Sequence, residues 1–294
     1  MTTRQRKGWF PQKPPEERSN SKHLFHMLRD GTTIETVHLD IADPREREAV
    51  IATHFMNSCL PFIEPDDPPV RGVGRDAPWD FSLELASGAR RNLEIVAISD
   101  SEHQFKLDKR EEKIALIGHL PRLPLSQLRK VARDFPNREA EEIMKRAAAR
   151  AAAKNELVAN PWYVEGGTPR VFFQGIAPQP RSTFWELIAR AVGSKENKRH
   201  AGKGETFLII DNRTRQFDVC DFQAGNDQIE KRIRSSAFAG VWLYTGYHSN
   251  MDGTEAEYSW SLVSGSEKTS DRLAAHLATE GSLPTDEGVV YLTL

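Results

Sequence analysis

Two carboxylates, Asp80 and Glu94, stand in neighbouring segments whose side chains alternate between apolar and polar along the chain. The segments cover residues 79–85 and 92–98, and a glycine, Gly88, lies between them. This alternation predicts a β-hairpin that brings the two acids together on adjacent strands. Paired carboxylate oxygens are typical ligands of Mg²⁺, and a cation held there could polarise a phosphodiester for attack by water.

The same alternation predicts which side chains share a face of the hairpin. Phe81 and Leu83 fall on one face with Leu93, whereas Asp80 and Glu94 fall on the other. We expect the apolar face to enter the core and the acidic face to lie where no helix covers the sheet. An ordinary hairpin with solvent-facing acids is the alternative interpretation, because one Asp and one Glu by themselves specify little.

A helix that precedes the hairpin contributes a third acid. Its start is predicted by Asp43 as the N-cap residue, Pro44 at the first helical position and Glu46 at the third. Glu48 lies three residues before Ile51 on the apolar side of this helix, which makes it a candidate metal ligand. The alternative is that a glutamate in the first turns only complements the helix dipole.

This order of parts resembles the PD-(D/E)xK nuclease superfamily over residues 40–117: a helix with an acid, a proline-rich loop, a strand that begins at Asp80, a tight turn, a strand that carries Glu94, and a charged helix. The resemblance implies a restriction-endonuclease-like α/β fold, in which a mixed β-sheet is flanked by helices. It also implies that the two motif acids bind Mg²⁺ or Mn²⁺, with Glu48 in the place of the frequent first-helix acid.

The pattern departs from the family two residues after Glu94, where a lysine that orients or activates the attacking water is expected. Val96 occupies this position and can neither donate a hydrogen bond nor carry charge. A lysine that has migrated to the following helix occurs in some members, so Lys106 or Lys109 is our candidate, with Gln104 as a neutral alternative. A solvated helix with Glu–Lys pairs is the competing interpretation. Loss of such a group commonly lowers a rate ~10²–10⁴-fold.

Local clusters of basic residues are the third feature of the sequence. The whole chain is nearly neutral, with 40 Lys and Arg against 42 Asp and Glu, so an anion-binding surface must come from such clustering. A solvated loop is the alternative for the basic stretch at residues 195–204. The residues that we expect to contact nucleic-acid phosphates are Lys113, Lys195, Lys198, Arg199 and Lys203.

The chain is expected to form a flexible basic tail at residues 1–22 and one α/β domain at residues 23–294, with a helical insertion at about 120–160. A second domain that begins near residue 160 is the alternative. Cys59 and Cys220 match no zinc spacing, so we expect reduced thiols. No apolar run approaches the ~20 residues of a membrane span and no signal-like segment opens the chain, so we expect a cytoplasmic protein without membrane contact.

The resulting hypothesis is a metal-dependent nuclease that hydrolyses phosphodiester bonds, in DNA more than in RNA, with Mg²⁺ or Mn²⁺ as its cofactor. A role in a defence system fits the resemblance. One alternative is a catalytically inactive protein of the same fold that binds nucleic acid or a protein partner, and Val96 favours it. Another is a scaffold of unrelated fold whose hairpin acids are exposed. A homodimer is compatible with the fold, although the sequence has no dimer-specific pattern.

Overall fold

The computed structural model divides the chain into two compact units. The core unit comprises Met1–Asp40, Arg45–Ser101 and Val171–Leu294, and the inserted unit comprises Ile41–Pro44 and Glu102–Arg170. The structure describes residues 4–7, 21–27, 32–67, 72–75, 78–118, 120–163, 171–175, 180–223, 233, 236–249, 256–280, 283–285 and 288–293.

Helices and strands alternate along most of the chain. The described strands are β1 (Arg4–Lys7), β2 (Ser21–Met27), β3 (Thr32–Leu39), β4 (Gly72–Arg75), β5 (Phe81–Glu84), β6 (Arg90–Ile98), β7 (Arg122–Pro124), β8 (Leu157–Ala159), β9 (Val171–Gly175), β10 (Thr206–Asn212), β11 (Gly240–Ser249), β12 (Ala256–Ser264), β13 (Leu283–Thr285) and β14 (Gly288–Thr293). The described α-helices are α1 (Pro44–Ser58), α2 (Leu60–Ile63), α3 (Glu102–Gly118), α4 (Leu125–Asp134), α5 (Arg138–Ala149), α6 (Arg181–Glu196), α7 (Val219–Gln223) and α8 (Glu267–Glu280).

A mixed eight-stranded sheet forms the centre of the core unit, in the order β13-β14-β12-β11-β10-β6-β5-β4. Strands β4, β5 and β6 pair antiparallel, whereas β10 runs parallel to both β6 and β11. Parallel neighbours need a crossover connection, and α6 is the helix that precedes β10 along the chain. The prediction of an α/β protein with a mixed sheet flanked by helices is thereby confirmed.

The helix α6 covers one face of this sheet. Its side chains Phe184, Ile188 and Val192 are buried in a cluster with Leu208 and Ile210 of β10. Successive side chains of a strand point to opposite faces, so Leu208 and Ile210 define the α6 face of β10. The register places Leu208 opposite Glu94, which therefore also belongs to the α6 face.

The helix α1 covers the other face. It begins at Pro44, as the sequence pattern predicts, and it buries Phe55. The ring of Phe55 lies 5.4 Å from that of Phe207 and 5.5 Å from that of Trp260. Several aromatic rings are buried on this face, which makes it a large part of the core. Each ring takes roughly 150–250 Å² of surface out of contact with water. At ~25 cal/mol per Å² this corresponds to about 4 kcal/mol of transfer free energy per ring.

A second, four-stranded sheet of the core unit has the order β1-β3-β2-β9. Its strand β2 is antiparallel to β3 and parallel to β9. Strand β1 pairs antiparallel with β3 and lies inside the segment for which the sequence predicts a tail. Local composition at residues 1–22 does not reveal this pairing, because the partner strand supplies the hydrogen bonds.

Several elements differ from the expectations drawn from sequence. The alanine-rich composition of residues 138–157 predicts a helix over that whole range, but α5 ends at Ala149, and Ala151 beyond it adopts a left-handed φ of 49°. The sequence indicates an acidic, loop-rich C-terminal part of the chain, yet α8 forms there; its weak apolar periodicity and few buried residues are why the sequence does not reveal it. A further helix predicted around residues 227–236 lies almost entirely outside the described residues. Across the described part of the chain, no helix is both long and apolar enough to pass through a lipid bilayer.

Candidate metal and nucleic-acid site

Asp80 and Glu94 lie side by side in the core unit. Phe81 pairs with Leu93 across β5 and β6, so the preceding residue, Asp80, meets Glu94. Asp80 stands one residue before β5 rather than within it, and its Oδ2 accepts a hydrogen bond from the backbone N–H of Ile95 at 2.7 Å. The hairpin interpretation of this segment is therefore correct, and a backbone donor of β6 fixes the orientation of the first acid.

Two lysines from the C-terminal end of α6 reach Glu94. The ammonium of Lys195 donates to Oε1 of Glu94, and that of Lys198 lies 3.3 Å from the same oxygen. The side chain of Glu94 is 5% exposed and that of Lys195 is 14% exposed, whereas that of Lys198 is 47% exposed. One lysine is thus enclosed with the acid, and the other faces solvent at the rim.

The expectation that no helix covers the acidic face is wrong. Helix α6 packs on this face, and its apolar side chains contact Val96 and Ile98, which follow Glu94 on the same side of β6. The acids lie at the margin of this contact, where α6 ends and lysines replace its apolar residues. The site is therefore built between a sheet and a helix terminus.

Burial and charge compete at these side chains. Burial raises the pKa of Asp80, the Ile95 N–H opposes this shift, and the neighbouring Glu94 charge raises the pKa further. Attraction to Lys195 and Lys198 lowers it, but the net shift is upward. Burial lowers the pKa of Lys198, while its hydrogen bonds and its attraction to Glu94 and Asp80 raise it, and the net shift is again upward. Two acids and two ammonium groups therefore share one partly desolvated space.

The residue types present fit a magnesium site of the open kind. Mg²⁺ is usually held by one or two carboxylates and completes its octahedron with water and substrate phosphates. The Ile95 N–H engages Oδ2 of Asp80, and Glu94 supplies the second carboxylate. In the described ranges, no group of three or more His, Cys, Asp or Glu side chains is placed to hold a metal.

Glu48 is not brought to the two acids. Its carboxylate pairs with Arg75 of β4 at 2.7 Å, and the Arg75 guanidinium lies 4.9 Å from the centroid of the Phe81 ring. Phe81 pairs with Leu93, so this arginine lies on the face opposite to Glu94. The role of Glu48 as a metal ligand stays a prediction that the geometry does not favour.

The lysines of α3 belong to the inserted unit and are paired with acids there. Lys106 pairs with Glu102 at 2.6 Å, and Lys109 pairs with Glu112 at 2.9 Å, both on α3 itself. Lys113 pairs across to α4 with Asp134 at 2.9 Å. Gln104, the neutral alternative, is buried and donates to Asp108. These contacts match the Glu–Lys pairing that is expected of a solvated charged helix.

The remaining basic residues near α6 differ in their surroundings. Arg199 is exposed, as nucleic-acid contact requires. The ammonium of Lys203 instead donates to the backbone carbonyls of Glu196 and Lys198 and so caps the end of α6. His200 lies against the buried Trp79, with ring centroids 5.3 Å apart, directly beside Asp80 in the chain. The basic stretch therefore serves both the helix terminus and the rim of the site.

Comparisons with known proteins add no identity to this geometry. No family model, curated protein or solved structure matches the chain. The function of the site is therefore argued from the chemistry of its own residues.

The sequence does not reveal two features of the core unit, one at this site and one on the opposite face of the sheet. Lys195 was expected to bind nucleic acid, yet it extends the buried stripe of α6 that includes Ile188 and Val192, and this spacing signals that it points toward the sheet. The second is a buried ion pair in which Arg47 binds Asp211, the acid that follows the apolar run of β10. An acid directly after four buried apolar residues was the available signal.

Proposed function

We propose that the core unit is a metal-dependent nuclease that hydrolyses phosphodiester bonds, in DNA more than in RNA, at the Asp80–Glu94 site. The observation that carries this proposal is the convergence of Asp80, Glu94, Lys195 and Lys198 in one place. Paired carboxylates suit a divalent cation, and adjacent ammonium groups suit the phosphate that the cation would bring. No single one of these side chains would support the proposal alone.

The order of elements supports a restriction-endonuclease-like fold. Helix α1, the antiparallel strands β4 to β6, helix α6 and the parallel strand β10 follow one another in the core unit. Helix α6 and strand β10 follow the residues 40–117 on which the resemblance to the PD-(D/E)xK superfamily rests. Fold-level analogy raises the expectation of a nuclease, while the residues at the site must carry the chemistry.

Lys195 takes the place that the sequence assigned to Lys106 or Lys109. Val96 contacts the apolar cluster under α6 and leaves no donor at the usual position of the motif lysine. Within the core unit, α6 is the helix whose lysine contacts Glu94, and migration of the lysine to a following helix fits the resemblance. A lysine beside a metal-binding glutamate is positioned to orient water.

The chain's own residues have separable roles in this proposal. Asp80 and Glu94 would hold the metal, and the Ile95 N–H keeps the Asp80 carboxylate in its orientation. A bound Mg²⁺ would polarise the scissile phosphate and lower the pKa of its water. Lys195, enclosed with Glu94, would orient that water, and the more exposed Lys198 would contact a phosphate oxygen of the substrate. The proposal places this activity in the cytoplasm.

Cleavage assays with matched variants test the proposal. The purified chain is incubated with duplex DNA, single-stranded DNA and RNA in Mg²⁺, in Mn²⁺ and in EDTA. We expect cleavage that requires the metal and falls by about 100-fold or more in Asp80→Ala and in Glu94→Ala. Glu84→Ala is the matched control, because Glu84 is an exposed acid of the same hairpin. Cleavage that survives in both acid variants, or that persists in EDTA, contradicts the proposal.

A non-catalytic protein of the same fold is the second candidate function, and Val96 is the observation that favours it. In this case Lys195 and Lys198 would serve only to neutralise buried acids and bind phosphates. Salt-sensitive DNA binding without metal-dependent cleavage in any variant would support it over the nuclease. A stable protein partner or a homodimer without either property would replace both candidates.

A further inference from the structure

The inserted unit contains two helices joined by a very short turn. Helix α4 ends at Asp134 and α5 begins at Arg138, so only residues 135–137 connect them. The side chain of Asn137 caps α5 by accepting from the backbone N–H groups of Glu139 at 2.9 Å and Ala140 at 3.1 Å. A connection of this length is shared by the helix-turn-helix and the αα-hairpin, and the Asn137 cap fixes where the second helix begins.

The inserted unit holds this pair of helices with a small core of its own. Leu128 of α4 packs with Ile143 and Ala147 of α5 and with Val158 of β8. A neighbouring cluster joins Ile117 of α3, Leu123 of β7 and Val131 of α4. Strands β7 and β8 pair antiparallel and close the unit. The order of one helix, a strand, the helix pair and a second strand therefore presents α5 on a rigid three-helix base.

Helix α5 buries only one side. Ala140, Ile143 and Ala147 face the core of the unit at helical spacing, so the opposite side faces solvent. The exposed charged side chains of α4 and α5 are six cations and three acids: Arg129, Lys130, Arg133, Arg138, Lys145, Arg146, Glu139, Glu141 and Glu142.

Charge is distributed unevenly between this segment and the rest of the chain. Residues 120–163 hold nine Lys and Arg against five Asp and Glu, a net charge of +4, whereas the whole chain has a net charge of −2. A basic segment in an otherwise acidic protein is complementary to a polyanion. The helix pair supplies the shape, and the segment supplies the charge.

The acids of α5 are confined to its first half. Glu139 and Glu141 lie in the first turn, where they complement the positive end of the helix dipole. In a major groove, carboxylates at the start of a recognition helix accept hydrogen bonds from the amino group of cytosine. The basic residues Lys145 and Arg146 follow in the later turns, where the helix would approach phosphates.

We infer that the inserted unit binds duplex DNA, with α5 in the major groove and α4 against the phosphate backbone. This assignment follows from the geometry and charge of the inserted unit and stands without the Asp80–Glu94 site. Duplex DNA is favoured over a protein partner because α4 and α5 together present six exposed cations against three exposed acids, while the major groove admits one helix.

Binding of a labelled duplex in EDTA tests this inference on the full chain, because cleavage cannot interfere there. The probe is a fluorescent duplex of about 30 base pairs, or three helical turns, compared with single-stranded DNA and duplex RNA of equal length. We expect duplex binding that weakens as salt rises from about 50 to 200 mM. The variant Lys145→Glu/Arg146→Glu should weaken it about 10-fold or more and flatten the salt dependence.

Two further variants keep the test decisive. Arg129→Gln/Lys130→Gln on α4 removes charge without reversing it and should weaken binding of all duplex sequences alike. Arg45→Glu/Lys268→Glu makes the same charge change as the α5 variant at exposed residues outside α4 and α5, and it should bind DNA nearly as well as the unmodified chain. Circular dichroism verifies that each variant is folded. Duplex binding that is absent in the unmodified chain, or equal in the α4, α5 and control variants, overturns the inference, as does preference for single strands.

Discussion

Two buried clusters of acids and cations occupy the core unit, on opposite faces of the same pair of strands, β6 and β10. On the α1 face, Asp211 accepts from Arg47 at 2.7 and 2.6 Å and from Arg213 at 2.8 Å. On the α6 face, Asp80 and Glu94 share the ammonium groups at the end of α6. The first cluster has one acid for two guanidinium groups, and the second has two acids competing for two flexible lysines.

The two clusters differ in the direction in which they shift an acid. Burial alone would raise the pKa of Asp211, but Arg47 and Arg213 outweigh it and hold the pKa far below the ordinary value. The pKa of Asp80 is raised, because burial and the Glu94 charge outweigh the N–H of Ile95 and the lysines. The surroundings of Asp211 thus favour its charged form, whereas those of Asp80 disfavour it.

This difference makes the Asp211 cluster suited to a structural role, whereas the Asp80–Glu94 cluster is the one for which we propose a catalytic role. Planar guanidinium groups bind a carboxylate at fixed geometry, which suits permanent packing, whereas lysine carries a mobile point charge. Perturbed pKa values are found both in functional sites and in structural ion-pair networks. A buried ion pair by itself therefore says little about function, and the proposed role of the Asp80–Glu94 cluster depends on two acids and two lysines meeting where α6 ends.

The largest expected effect comes from removing the acid of the cluster that Asp211 forms with Arg47 and Arg213. Asp211→Ala leaves Arg47 buried without its partner and should lower the free energy of unfolding by about 3–5 kcal/mol. Urea denaturation followed by circular dichroism measures this change. Glu84→Ala, an exposed acid of the same sheet, should change it by less than about 0.5 kcal/mol. A loss below about 1 kcal/mol for Asp211→Ala would mean that the two clusters are alike.

The next effect concerns catalysis and distinguishes two lysines of one segment. Lys195→Met should lower the rate of metal-dependent cleavage by about 100-fold, because the group that orients water is lost. Lys203→Met should leave cleavage within a few-fold and instead lower the free energy of unfolding by about 1 kcal/mol, since Lys203 caps α6. Single-turnover assays and urea denaturation of both variants measure these outcomes. Equal losses of cleavage would contradict the separate roles.

A smaller effect of opposite sign is expected at the Asp80–Glu94 cluster. The raised pKa of Asp80 means that the folded protein holds this proton more tightly than the unfolded chain, so stability falls as pH rises through the folded pKa. Asp80→Asn should therefore stabilise the protein at neutral pH, by at most about 1 kcal/mol because solvent screens part of the charge.

The pH dependence checks the sign of this effect. The difference between Asp80→Asn and the unmodified protein should vanish below the ordinary aspartate pKa of about 3.9, where the carboxyl is protonated in both states. Melting temperatures measured from about pH 3 to about pH 8 should show the two curves converging at the acid end of the range. If Asp80→Asn is less stable than the unmodified protein at neutral pH, the surroundings of Asp80 favour its charged form.

The smallest effect is expected at Glu48. Glu48→Gln weakens a partly exposed pair with Arg75 and should lower the free energy of unfolding by about 0.2–1 kcal/mol. Cleavage should stay unchanged, since the carboxylate lies on the face opposite to Glu94. A strong loss of cleavage would restore Glu48 as a metal ligand and would extend the functional cluster across the sheet edge.

Local patterns in the sequence predict the local parts of the site. The alternation around Asp80 and Glu94 predicts their hairpin, and the Asp43-Pro44 pair predicts the start of α1. The mixed sheet follows from helices that alternate with apolar strands. The hairpin and the helix start are set by interactions between residues close in sequence, whereas the alternation of elements predicts only the class of the sheet.

Contacts between residues that are far apart in the sequence could not be predicted from local patterns. Glu94 and Lys195 are 101 residues apart, and Arg47 and Asp211 are 164 residues apart, so only tertiary packing makes them neighbours. The lysine chosen from sequence proximity to Glu94 was therefore on α3 rather than on α6. The inserted unit lies between β6 and α6 in the sequence and so places Lys195 far from Glu94 along the chain. No local pattern indicates that the two residues meet.

The burial of β10 has a consequence for how the sheet assembles. Every residue of β10 is buried, and apolar side chains occupy both faces, so a shift by one residue would exchange one hydrophobic side chain for another. Thr206, Asp211 and Asn212 are polar, and of these Asp211 carries a charge whose delivery to Arg47 fixes the alignment. The charge thus selects the register that hydrophobicity leaves ambiguous, and the same alignment sets where the end of α6 meets Glu94.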